Sequence, residues 1–273
     1  MGQRPADDSP VMRYDSAPAR RRTIVDAVDE SGFISVSDLT LRLGVSDMTV
    51  RRDLRKLAQQ GSVRVVHGGV SALTGSLHSP AFGSRADLNS DAKRVIGAAA
   101  ARRVSATATI AVDAGTTTYA AAQDLPASFR GTVVTHSVPV MQLMLNRGIG
   151  RVVGLGGELL PESQAFVGPR TVEATAGLSV EQFFLGAAAA DERGIYVATD
   201  HERPTKLAMI SIAREVILLV DAAKFGAPAP VLLCGWEGIS AVITDGPPPA
   251  RIARLLAELD IDLIVPGGAE SRA

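Results

Sequence analysis

Two clusters of side chains in this sequence have types and spacings that can do chemistry. The first is Ser46, Met48, Thr49, Arg51, Arg52 and Arg55. On a helix turning about 100° per residue, Met48, Arg52 and Arg55 project together with Arg51 on the flank, opposite a stripe of Val50, Leu54 and Leu57. A guanidinium can bond a guanine edge or a phosphate, and Met48 or the Thr49 methyl can contact thymine, so this face suits a major groove. The second is the run Asp113-Ala-Gly-Thr-Thr-Thr118, between an apolar run and an Ala-rich segment. There Gly115 permits close backbone approach. The opening N–H groups of a helix and the hydroxyls of Thr116, Thr117 and Thr118 then offer donors to an anion, a phosphate cradle. Each cluster has a plainer reading: a solvated arginine face, and a strand-to-helix turn capped by threonines.

The elements that must position the first cluster can be read from apolar spacing and punctuation. Ile24, Val25, Ala27 and Val28 give one helix an apolar face, which Ser31-Gly32 ends. Leu39 and Leu43 give a second, short helix its buried edge, and Gly44 supplies the residue able to take positive φ in a tight turn. Ser46 caps a third helix, with Asp47 favourable at its positive end. After Gln60-Gly61, Ser62–Val66 reads as a strand and His67-Gly68-Gly69 as a tight return. This wing would bring Arg64 and His67 to phosphate or the minor groove. Three helices and a wing over 20–72 make a winged helix-turn-helix; turn, cap, stripe and wing agree on DNA, the alternative being a docking domain.

The second cluster belongs to a different kind of chain. The apolar runs TIAVDAG, GTVVTHS, RVVGLGG, EQFFLGA, EVILLVD, SAVITDG and IDLIVPG each end in turn residues and predict buried strands. Helical stretches at 116–124, 139–146, 168–177, 205–214 and 249–259 separate most of them. That alternation predicts an α/β domain with a mainly parallel, doubly wound sheet, in which ligands bind at the C-terminal strand ends. At those ends Asp113 would accept sugar hydroxyls and Lys224 would pair with phosphate. The plainer alternatives are a solvated Lys224, an i,i+4 pair of Glu202 with Lys206, and a simple turn at Gly156-Gly157.

Charge and composition bound these readings. The net charge of −1 argues against nucleic acid only if it is evenly spread. Between Arg20 and Val70, nine Lys and Arg face six acids, leaving −4 for the rest. Hydrophobic residues make up 46% and charged residues 21%, ordinary globular usage. Cys234 is the lone cysteine, which excludes an intramolecular disulfide and a cysteine zinc cluster. A cytoplasmic setting fits, no metal or cofactor is expected, and no apolar run has the length of a signal peptide core or membrane span. The expected organisation is a disordered leader at 1–19, the winged domain at 20–72, a linker of Gly, Ser and Pro at 73–90, the α/β domain at 91–265 and a tail at 266–273.

Gly44–Gly69, reading GVSxxTVRRDLxxLxxxGxVxxxHGG, closely resembles the N-terminal signature of the DeoR family of bacterial sugar-metabolism regulators. Arg20–Ala72 is similar to that family's winged domain in length and order. The resemblance implies that Ser46, Thr49, Arg51 and Arg52 lie at the DNA; Leu41 is apolar where a polar residue is common. It extends over about 82–245 to the family's sensor domain through DAGTTT, Thr135-His-Ser137, Gly154-Leu-Gly-Gly157, Phe184-Leu-Gly186, Glu202 with Lys206, Asp221-Ala-Ala-Lys224 and Thr244-Asp245. That sensor resembles the ribose-5-phosphate isomerase type of fold reused for binding. It implies an effector site including Thr135, His136, Gly156, Gly157, Gly186, Glu202, Lys206, Asp221 and Lys224. The family's usual TNS is here THS, so His136 marks a departure in the pocket. The expected protein is a repressor of a sugar-catabolism operon, binding double-stranded operator DNA as a homodimer or higher oligomer and released by a phosphorylated sugar. Two other classes stay open: an isomerase-like enzyme with Asp113, Asp191 or Asp221 as base, against which FLGAAAAD lacks the acids such enzymes carry there, and a DNA-binding scaffold without ligand.

Overall fold

The computed structural model describes residues 17–31, 33–59, 62–66, 69–72 and 82–266. They fall into two compact units that divide between Ser84 and Arg85.

The first unit runs α1 (Ala17–Ser31), β1 (Phe33–Ser35), α2 (Val36–Leu43), α3 (Asp47–Gln59), β2 (Val63–Val66) and β3 (Gly69–Ala72). Ile24, Val28, Leu39, Leu43, Val50, Leu54, Leu57, Val63 and Val70 form one core, so the expected stripes converge. Ser35 caps α2 by accepting the Asp38 N–H at 3.0 Å, and Gly44 closes it at φ 61°. Ser46 accepts the Thr49 N–H at 3.3 Å and so caps α3. Two features differ from expectation. Helix α1 begins at Ala17, inside the span read as leader, because Pro18 costs nothing in a first helical turn whose N–H groups are unpaired anyway. β1, too short to show a pattern, pairs with β3 to make a three-stranded antiparallel sheet in the order β1-β3-β2.

Helix α4 (Phe82–Asp87) carries the chain into the second unit and α5 (Ser90–Ala101) follows. Then come β4 (Thr109–Val112), α6 (Thr116–Gln123), β5 (Thr132–Thr135), α7 (Val138–Arg147) and β6 (Arg151–Gly154). A hairpin, β7 (Glu158–Leu160) and β8 (Ala165–Val167), leads through α8 (Pro169–Glu173) to β9 (Val180–Gly186). The chain continues with β10 (Ala189–Asp191), β11 (Gly194–Val197), α9 (Glu202–Ser211), β12 (Ala213–Leu219) and β13 (Val231–Cys234). It closes with β14 (Ala241–Ile243), α10 (Ala250–Glu258) and β15 (Asp262–Ile264).

The seven apolar runs are the seven strands of one parallel sheet, ordered β15-β14-β12-β9-β4-β5-β6. Alternate residues feed two cores. Phe184, Ile110, Val112 and Ile217 pack with Ile96 of α5, Ala121 of α6 and Val140 and Met144 of α7. Phe183, Leu185, Leu218 and Val242 pack on the other face with Met209 of α9 and Ile252 and Leu256 of α10. Burial on both faces explains why the strands read as continuous apolar runs. The antiparallel sheet β10-β11-β13 and the β7-β8 hairpin were not foreseen. The expected linker is also shorter than 73–90, since α4 and the first residue of α5, Ser90, lie within it. Composition misled there because tertiary bonds order the segment: the buried Lys93 ammonium bonds the carbonyls of Arg85 and Leu88, and Asn89 donates to Asp221 at 3.3 Å.

From β4 the chain winds outward to β6, and from β9 it winds the other way to β15. β4 and β9 are therefore the neighbours between which the winding reverses, and the crevice beyond their C-terminal ends is where such sheets take ligands. Asp113 and Gly186 stand at those ends.

Candidate functional site

On α3 the expected outer face is presented to solvent. Met48 is 81% exposed, and Arg51, Arg52 and Arg55 are exposed around it. Arg51 is not free: its Nε lies 2.5 Å from Asp47 Oδ1, one turn back. Both partners are half in water, and such a pair yields readily to a phosphate. The Ser46 and Thr49 hydroxyls bond each other at 2.9 Å. Leu41 is 82% exposed on α2. Arg64 stands in β2 opposite Ser71, its side chain outside the described residues, as is His67 altogether.

The basic excess of this segment needs a correction. Asp53, buried on α3, accepts Arg20 Nε at 2.7 Å and Arg21 at 3.4 Å, so these two arginines are spent on tying α1 to α3. An acid three residues after Val50, on the inward side of the helix, was the available signal.

At the switch point Asp113 is fully buried and organises its surroundings. Its Oδ1 lies 3.1 Å from His136 Nε2, and its Oδ2 accepts the Gly186 N–H at 2.9 Å and the Lys206 ammonium. Burial acts to raise its pKa, but Lys206 and His136 outweigh that and hold the carboxyl below the usual range. Lys206 also donates to the Gly186 carbonyl at 3.2 Å. Lys206 thus pairs across the sheet with Asp113, which removes the reading of Glu202 and Lys206 as a helix-surface pair. Gly186 has its place because a Cβ would stand 3.2 Å from Asp113 Oδ2.

Several expected ligand groups are spent inside the protein. Both Asp113 oxygens are taken, so it does not present a free acceptor to a sugar hydroxyl. The Thr118 hydroxyl bonds the Asp113 carbonyl at 2.7 Å and accepts the Gly115 N–H at 3.0 Å, which closes part of the cradle. Thr135 bonds the Val112 carbonyl at 2.7 Å and accepts the Ser137 N–H at 3.1 Å. Gly157 sits at φ 148°, where a Cβ would collide with Thr171 Oγ1 and the Val167 carbonyl; Gly156 has open space around it. Thr116 reaches the Arg85 carbonyl at 3.5 Å.

Other groups keep hydrogen-bonding capacity to spare. The Thr117 hydroxyl, in the first turn of α6, is buried and has no partner among the described residues. His136 Nε2 lies 3.0 Å from the Ala114 nitrogen and 3.1 Å from Asp113, while its Nδ1 is buried with no partner among the described residues. Lys224 donates to the Ala187 carbonyl at 2.7 Å and stands 3.8 Å from Asp221. Burial depresses the Lys224 pKa ahead of Asp221's opposing pull, and Lys93, Arg85 and Lys206 depress it further. Four cations therefore gather here, two of which, Arg85 and Lys93, sequence reasoning missed because they stood in or beside a stretch of linker composition. Asp191 is engaged elsewhere, accepting the Tyr196 hydroxyl at 3.0 Å and the Arg193 N–H at 2.8 Å.

Comparison with known proteins bears on both units. Residues 20–75 match the family model of the DeoR-like helix-turn-helix domain, and 88–246 that of the DeoR C-terminal sensor domain. The HTH-type transcriptional regulator YgbI of Escherichia coli K12 is 35% identical over 90% of this chain and 96% of its own. The glycerol-3-phosphate regulon repressor of the same organism is 30% identical over 89% and 97%. Among solved structures, ribose 5-phosphate isomerase A of Neisseria gonorrhoeae overlaps 52% of this chain and 54% of its own at 15% identity and a TM-score of 0.38. With both domain models matched in order and whole-length relatives at these identities, the chain belongs to the DeoR family of DNA-binding transcriptional regulators.

Proposed function

We propose that this regulator represses a carbohydrate-catabolism operon and is released from its operator by a small phosphorylated metabolite bound at the switch point of the sensor. The observation that carries the reading is the first turn of α6, where the buried Thr117 hydroxyl has no partner among the described residues and the neighbouring Asp113 and Thr116 bond Lys206 and the Arg85 carbonyl. Buried polar groups without partners are rare in folded proteins and call for an explanation. A helix start with a spare hydroxyl among lysines suits a phosphoryl group. Ser46, Met48, Thr49, Arg51, Arg52 and Arg55 would face the operator, with Arg64 and His67 of the wing beside it. The protein works in the cytoplasm, as a dimer or larger oligomer matched to repeated half-sites. Effector binding must favour the DNA-incompetent state, since equal affinity for both states would shift nothing.

Turnover is not part of this reading, because the carboxylate nearest the cradle is ionised and fully engaged, leaving it a poor base. The test is a thermal-shift and isomerase screen with sugar phosphates and glycerol 3-phosphate, followed by operator release with each stabilising compound. Stabilisation and release without turnover are expected; turnover, or no response to the whole panel, would overturn the reading.

A further inference from the structure

Arg85 is the first residue of the sensor unit and lies in α4, the helix by which the chain arrives from the winged unit. Its backbone carbonyl accepts from Lys93 and from Thr116 of the α6 first turn, so the residue is moored beside the cradle. Its guanidinium is differently placed. One terminal nitrogen reaches the Glu162 carbonyl at 3.5 Å, the limit of a hydrogen bond, and Nε is buried with no acceptor among the described residues. Burial lowers its pKa, opposed by the charges of Glu202 and Asp113, which puts the guanidinium in the field of the site.

A half-buried guanidinium whose buried Nε is unspent is poised for an anion, because its planar fork matches two oxygens of a phosphoryl group. The surrounding charge agrees. Lys206 is paired with Asp113 and Lys224 stands near Asp221, and although the Glu202 charge acts on Arg85, no carboxylate among the described residues bonds its Nε.

Resting on the effector reading above, we infer that Arg85 is a ligand of the effector's phosphoryl group, and that the stretch from Arg85 to Asn89 thereby forms a wall of the site that tightens on binding. Lys93 and Asn89 are positioning residues: one bonds the carbonyls of Arg85 and Leu88, the other bonds Asp221. Occupancy then acts on the one segment of chain that continues into the winged unit, which gives release from DNA a covalent route.

Hydrogen exchange of the full chain with and without millimolar inorganic phosphate tests this. Phosphate is expected to slow exchange in both 83–90 and 115–119. In Arg85→Gln, phosphate affinity should fall roughly tenfold or more, as loss of a charged hydrogen bond implies, and protection of 83–90 should vanish while 115–119 stays protected at high phosphate. Arg85→Lys, which keeps the charge without the fork, should fall between the two. Protection confined to 115–119 in the wild type, or an unchanged affinity in Arg85→Gln, overturns the assignment of Arg85 and leaves the effector site standing. No phosphate binding by the wild type overturns both.

Discussion

The two units place the same kinds of charged residue under opposite conditions. On α3, Asp47 and Arg51 meet in water, at 55% and 54% side-chain exposure, and lie one turn apart. In the sensor, Asp113 and Lys206 meet in a dry interior, 93 positions apart in sequence. The first pair decorates a surface whose use is decided by what docks on it. The second holds β4, β9 and α9 in register at the point where the winding of the sheet reverses. A charge that reads a partner must remain replaceable, and a charge that builds a site must not.

The sharpest way to break this contrast is to remove one carboxylate from each pair. Asp113→Asn leaves Lys206 buried without a counter-charge and should cost the sensor roughly 3–5 kcal/mol. Urea denaturation followed by Trp236, the single tryptophan, which is 2% exposed, reads this directly. Asp47→Asn should scarcely move the winged unit, read by circular dichroism. The pH dependence has a definite sign. Because the folded pKa of Asp113 is depressed, its contribution is complete above the unfolded value of about 4 and declines as pH falls below it. The wild-type sensor should therefore lose stability below about pH 4 more steeply than Asp113→Asn. Equal costs in the two units, or parallel acid profiles, would erase the distinction between reading and building charges.

The next largest effect separates two arginines on the surface helix itself. Arg52 is exposed and carries no ion pair among the described residues, whereas Arg51 must leave Asp47 to reach DNA. Arg52→Ala should weaken operator binding by roughly 1–3 kcal/mol at fixed salt if it reads a base. Arg51→Ala should cost less and reduce the salt slope by about 1, the signature of a phosphate contact. A larger loss from Arg51 would mean that Asp47 aims its guanidinium at the DNA rather than competing with it.

The same contrast explains what could be read from the chain before its structure. The α3 face depends on helical period alone, so Met48, Arg52 and Arg55 were legible from spacing. The seven strands were legible because each is an apolar run with a turn residue at its end, which burial on both faces imposes on the inner strands. β1 and the small β10-β11-β13 sheet were not: β1 is three residues set between two helices, and β10 and β11 carry alanine and glycine where a strand would show a longer apolar run. At the effector site DAGTTT marked the right place but not the right division of labour. Whether Asp113, Thr135 or Thr118 faces a ligand or the protein is settled by groups such as Gly186, Ser137 and Gly115, and residue type is the same in either case. Arg85 and Lys93 escaped for the converse reason, since their order comes from contacts made at a distance.

Thr117 and Thr118 bring the contrast down to adjacent residues of one type. The Thr118 hydroxyl bonds the Asp113 carbonyl and the Gly115 N–H, so Thr118→Val removes a cap and strands two backbone groups, at a cost of roughly 1–2 kcal/mol in sensor stability. The Thr117 hydroxyl is buried without a partner among the described residues, so Thr117→Val keeps the shape, spares an unsatisfied group and should leave stability unchanged or raise it slightly. Their effects on function should run the other way. Thr117→Val should lose the response to the effector while operator affinity stays intact, because the hydroxyl it lacks is one that only a ligand would use. Thr118→Val should respond to effector in proportion to the fraction that remains folded. Both are read by thermal melts and by effector-dependent release of DNA from the two variants in parallel. A Thr117→Val protein that releases DNA normally would show that the first turn of α6 is a capped strand-to-helix turn, with its one idle hydroxyl left over from packing.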